Sequence, residues 1–182
     1  ARQLGFRILI SRAESVDERI PYHALQWVLQ QLLNLNTATG DLISLRQQVG
    51  HSLAAIEEGL DQWAPLLQFI LPYQWEETVS TSGLMAKEKE PKLIWLLERV
   101  ILGQLAKNPV LLVFENSQWL DSSSEEFIFS LLRKSPPHLF LLIVTRLYKN
   151  RFDTPDAMIS ATPMTHLSIE VLTKEELFTL LC

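Results

Sequence analysis

The chain alternates between short apolar runs and longer stretches in which apolar residues recur every three or four positions. "FRILI", Phe6–Ile10, is a compact, β-branched-rich run after Gly5 and predicts a strand. The polar stretch "SRAESVDER" then reads as a loop. Pro21 suits the first turn of a helix, where its missing N–H would have had no partner. Leu25, Val28, Leu29, Leu32 and Leu33 repeat at helical spacing, and "NTATGD" ends that helix with turn chemistry. From Leu42 to Leu71 the spacing predicts two helices, broken near Gly59 or Pro65. "TVSTSGLMAKEKEPK" reads as a solvated loop. Pro91 opens another helix, with Leu93, Leu96, Leu97, Val100 and Leu105 on one side.

"VLLVF", Val110–Phe114, predicts a second, buried strand. Phe127, Ile128, Leu131 and Leu132 form a helix stripe, with Arg133 and Lys134 favourably placed near its C-terminal end. "SPP" stops that helix, and "LFLLIVT", Leu139–Thr145, predicts a third strand. "LSIEVL", Leu167–Leu172, is a candidate fourth strand, and Thr173-x-x-Glu176 is a capping box opening a last helix. Strands apolar on every residue, alternating with helices, indicate an α/β fold with a parallel sheet covered on both faces. In such sheets ligands bind beyond the carboxyl ends of the strands. Two of those ends carry chemistry: Glu115–Asn116 and Thr145–Arg146.

Composition narrows the classes. With 182 residues, 47% hydrophobic and 20% charged, the chain fits one domain with a real core. A net charge of -5 argues against nucleic acid or an anionic membrane as the main partner. The apolar runs are too short to span a bilayer. Cys182 is the only cysteine, so neither an internal disulfide nor a thiolate metal site can form, which fits a reducing compartment such as the cytoplasm. The start of the sequence has neither an initiator Met nor a signal pattern, and the expectation is a piece of something larger.

Each candidate residue carries two readings. Glu115, at the end of a buried strand, is placed either to hold a hydrated Mg²⁺ or simply to mark the exit into solvent. Arg146 either reaches a terminal phosphate or pairs with a surface acid. Thr145 either bonds a phosphate or an attacking water, or caps its strand. Asp121 and the serines after it read as helix starters, with Ser122-x-x-Glu125 and Ser123-x-x-Glu126 both fitting the capping box. The four His are isolated. No G-x-x-x-x-G-K-[ST], G-x-S-x-G or H-E-x-x-H occurs.

Four segments in order carry a family resemblance. "LLVFENSQWLDSSSEEF" resembles the Walker B segment of the signal-transduction ATPases with numerous domains (STAND NTPases, related to the AAA+ class). "LFLLIVTR" resembles their sensor strand, "MTHLSIEVLTKEELFTLL" the entry to their helical lid, and "GFRILISRAESVDERIPYHALQWVLQQLL" the strand and helix that follow the phosphate loop. The resemblance extends to the ATPase-like regions of LuxR-type regulators and of soluble adenylyl cyclase, the latter being the closer in style. It implies a three-layer P-loop NTPase-like core over 1–165, with 36–90 as helical insertion and loop and 166–182 as the start of the lid. It implies ATP and Mg²⁺ as ligands, Glu115 on the metal, and Thr145 and Arg146 on the nucleotide, with other domains of the same protein as partners.

Two departures qualify that expectation. The Walker A loop falls upstream of Ala1, so ATP and Mg²⁺ are expected only where that loop is present. The family's second acid is Asn116 here, and an amide can orient a water but cannot take its proton, so hydrolysis is expected to be weak or absent. The rival expectations are a degenerate interaction module and an unrelated α/β binding domain.

Overall fold

Leu9, Leu112 and Leu141 lie side by side across three parallel strands, and that register sets the architecture. The structure is a computed structural model and describes residues 3, 5–35, 41–145, 165 and 167. In chain order the elements begin with β1 (Arg7–Arg12), α1 (His23–Leu32) and α2 (Leu42–Ala54). A 3-10 helix (Leu60–Phe69), the short α3 (Val79–Ser82) and the long α4 (Ala86–Leu105) follow. β2 (Val110–Glu115), a 3-10 turn (Ser117–Trp119), α5 (Ser122–Lys134) and β3 (Leu139–Ile143) complete the set. The strand order is β1-β2-β3, all parallel, with Arg12 opposite Glu115. The chain therefore has the expected α/β character, with a helical crossover between each pair of strands. Apart from Leu167, which is not in a strand, the candidate fourth strand lies outside the described residues, as do Arg146 and the last helix.

Alternation separates the two faces of the sheet. Leu9, Ser11, Val110, Leu112 and Phe114 share one face and are buried there. On that side α1 packs on β1 and touches α4 and α5. The Ser11 hydroxyl donates to the Ala24 carbonyl (2.8 Å), and Lys134 of α5 pairs with Glu98 of α4 (2.5 Å). The opposite face presents Ile8, Ile10, Leu111, Val113, Phe140 and Leu142. Ile10, Phe140 and Leu142 are 46%, 51% and 46% exposed. Among the described residues the helices cover one face, so the described part has two layers and the expected third layer is not among them. A run apolar at every position records that both faces favour burial; it does not supply the second cover.

Other differences have local causes. α1 starts at His23 instead of Pro21, because Tyr22 turns the chain through a left-handed conformation (φ 61°). α4 starts five residues before Pro91, inside the segment read as loop. Ala, Lys and Glu are strong helix formers, and the Glu88 carboxylate accepts the Met85 N–H (2.9 Å), so a charged helical turn resembled solvated coil. The break expected near Gly59 or Pro65 falls at Gly59 (φ 80°), while Pro65 sits inside the 3-10 helix. Lys92 of α4 fastens that helix by lying over two indole rings, 3.9 Å from the Trp63 centroid and 3.6 Å from that of Trp95.

The edge of β1 is closed by a side chain. The Gln31 amide accepts the Ile10 N–H (3.1 Å) and donates to the Ile10 carbonyl (2.7 Å), as a neighbouring strand would. Arg7 donates to the Gln31 and Leu32 carbonyls at the C-terminal end of α1, to Asn34 and to Gln104.

Two outcomes are expected. The open apolar face predicts that the chain on its own self-associates, and sedimentation velocity showing a single compact monomer at micromolar concentration would contradict this. Tyr22 predicts the second. Burial, followed by its hydrogen bond to Glu90 (2.9 Å) and the charges of Glu90 and Glu126, pushes its pKa above the ordinary value near 10, against a smaller opposing effect of Ser123. The folded state keeps this phenol neutral where the unfolded chain ionises it. Its stabilisation is therefore complete below pH 10 and declines as pH rises beyond it, by at most about 1.4 kcal/mol per pH unit. Urea denaturation between pH 9 and 11 should show wild type losing stability relative to Tyr22→Phe.

Candidate functional site

The carboxyl ends of the strands bring together residues far apart in the sequence. β1 ends on Arg12 and β2 on Glu115, and the parallel register makes them neighbours. Arg12 Nε and Nη2 both donate to Glu115 Oε2, at 2.8 and 2.7 Å. The Arg12 side chain is 66% exposed and that of Glu115 35%. Both stand on the open face of the sheet, since they continue the alternation of Ile8–Ile10 and Leu111–Val113. Glu115 Oε1 and Arg12 Nη1 have no partner among the described residues.

Asn116 makes the turn out of β2 with a positive φ of 55°, a conformation that Asn tolerates better than most residues. Its side-chain Nδ2 donates to the Ala13 carbonyl (3.3 Å), and its own carbonyl accepts the Trp119 N–H (2.9 Å). The Ala13 N–H donates to the Glu115 carbonyl (3.0 Å), so the loop after β1 is stitched to the end of β2. On the other flank the Ser117 N–H and hydroxyl both donate to the Val144 carbonyl, at 2.9 and 3.0 Å. Thr145 follows, exposed, with its hydroxyl 3.5 Å from Gln118 Oε1. Glu115, Asn116 and Thr145 thus share one end of the sheet, whereas Arg146 lies outside the described residues.

Behind this end lies Asp121, 3% exposed. It is the N-cap of α5, accepting the Ser124 N–H (2.8 Å) and the Ser124 hydroxyl (2.7 Å). The expected serine capping boxes are corrected, because the cap is one residue earlier. The same carboxylate accepts the N–H of Tyr22 (2.8 Å) and that of Ala24 (3.4 Å) at the start of α1. One buried acid therefore caps two helices, and the loops leaving β1 and β2 are held side by side.

Sequence reasoning did not single out Arg12. It ends "ILISR" and begins a polar stretch, and only the parallel register reveals that it faces Glu115. The double role of Asp121 was equally hidden, although its cap position was signalled by the serine-rich start of a helix. Among the described residues there is no group of three or more His, Cys, Asp or Glu side chains able to hold a metal. One carboxylate with an unpartnered oxygen fits a Mg²⁺ that keeps its waters and takes its remaining ligands from a phosphate. Glu115 is the described residue that would hold it.

No protein-family model matches the chain, and no curated protein and no solved structure matches it either. Among the described residues no helix is long and apolar enough to cross a membrane.

Asp121→Ala is expected to cost about 2–4 kcal/mol, combining a lost N-cap with buried N–H groups left without an acceptor. Asp121→Asn should recover part of this, since an amide oxygen still accepts. Equilibrium urea unfolding monitored by tryptophan fluorescence measures both.

Proposed function

We propose that the chain is the regulatory ATP-binding part of a STAND-type P-loop NTPase module in a larger signalling protein, one related in style to soluble adenylyl cyclase. The observation that carries the reading is the coincidence of two features at one place. Glu115 stands at the carboxyl end of the central strand of a parallel sheet, and the sheet face beside it is apolar and open. A nucleotide-binding core of this kind needs a phosphate loop and its helix against that face, and the sequence lacks such a loop. In this reading the loop comes from residues upstream, Glu115 supports the Mg²⁺, and Thr145 and Arg146 face the nucleotide. Mg-ATP then biases the arrangement of core and lid, in the manner of other γ-phosphate switches. Asn116 cannot serve as a general base, so the module senses nucleotide with little turnover.

A second reading has its own support. Glu115 is already ion-paired with Arg12, and the Asn116 amide is committed to a backbone carbonyl. A module that retained the fold and abandoned nucleotide chemistry, serving as an interaction scaffold, would tolerate both.

A calorimetric titration of Mg-ATP separates the two. It is run in parallel on this chain and on a version extended upstream through the expected phosphate loop. The extended version should bind and this chain should not. Glu115→Gln in the extended version should weaken Mg-ATP by about tenfold, the loss of one charged contact, while sparing ATP without Mg²⁺. Absence of binding by both, with circular dichroism showing both folded, would establish the scaffold in its place.

A further inference from the structure

We propose that Arg12 is a phosphate-binding residue of this same site, acting with Glu115 as a paired receptor for a polyphosphate carrying its divalent cation. This rests on the nucleotide-binding reading and assigns a role that the sequence did not suggest.

The geometry of the pair is the starting point. Both donors of Arg12 that engage Glu115 converge on a single oxygen, Oε2. An arginine and a carboxylate satisfy each other more fully in the side-by-side arrangement, with two donors on two oxygens. Here one oxygen of the acid, Oε1, and one nitrogen of the guanidinium, Nη1, remain without partners among the described residues. Among the described residues the pair is therefore joined at one corner and open at two. A cation, or a water on it, fits at Oε1, and a phosphate oxygen fits at Nη1, with the ion pair still intact.

Electrostatics make the receptor selective. The two charges cancel, so a bare polyphosphate attracted by Arg12 is repelled by Glu115, and a bare cation meets the reverse. Only a species carrying both signs, with metal and phosphate adjacent, gains at both ends. The side chains below the pair on the same face, Ile10 and Val113, are apolar and compete for neither charge. The pair itself is exposed, and an exposed ion pair is held weakly enough to adjust to a ligand. Arginine suits this task better than lysine, because its planar fork keeps one edge for the acid while another meets the phosphate.

The test uses the upstream-extended chain of the titration above, in wild-type, Arg12→Ala and Arg12→Lys forms, each titrated with Mg-ATP and melted without ligand. Arg12→Ala should weaken Mg-ATP by about tenfold, with the melting temperature little changed, as for an exposed residue. Arg12→Lys should recover part of the loss, since it keeps the charge but not the fork. Wild type binding Mg-ATP while Arg12→Ala binds it equally would overturn this proposal and leave the nucleotide-binding reading standing. A weakened Arg12→Ala that is also clearly destabilised, with no recovery in Arg12→Lys, would reduce Arg12 to a clasp between strands. Failure of folded wild type to bind Mg-ATP removes both proposals together.

Discussion

A carboxylate buried almost completely is costly unless its oxygens are occupied, and Asp121 is occupied by the beginnings of two helices. Those helix starts present unpaired N–H groups and the positive ends of their dipoles, so they stabilise the charge that satisfies them. The arrangement is reciprocal, and much of the site's geometry follows from it. The loop from β1 to α1 and the loop from β2 to α5 are drawn to one point, which holds the two strand ends in register. The register sets Arg12 beside Glu115 and Ala13 within reach of Asn116, and the same junction is tied from behind by Asp121.

The strands and the amphipathic helices were legible in the sequence for a simple reason. Their apolar spacing is imposed by burial on the covered side of the sheet, and Leu25, Val28, Leu29, Phe127 and Ile128 are all buried where the spacing put them. What was misread lies where burial is weak or where the cause is a distant residue. The first turns of α4 are charged and exposed, so nothing distinguished them from loop except intrinsic propensity. The position of Tyr22 depends on an acceptor contributed 99 residues later, which no local rule contains. Glu115 could be read as a strand-end acid, but its partner Arg12 could not, because register between β1 and β2 is a tertiary fact.

Asn116 illustrates how one residue answers to two demands. By resemblance it stands where an acid would activate water, and its amide then looks like a loss. In the fold it occupies a left-handed turn and donates a hydrogen bond to the Ala13 carbonyl. An ionised carboxylate there has no hydrogen to donate and would face a carbonyl oxygen instead. The amide thus has a local structural justification that is independent of any chemistry on a nucleotide.

The Gln31 amide gives the sheet one closed side. Because it already plays the part of a neighbour to Ile10, β1 is a finished border, and a strand arriving there would first have to displace a pair of good hydrogen bonds. Among the described residues no comparable side-chain pair stands against the outer edge of β3. There the half-exposed Phe140 and Leu142 offer an apolar margin.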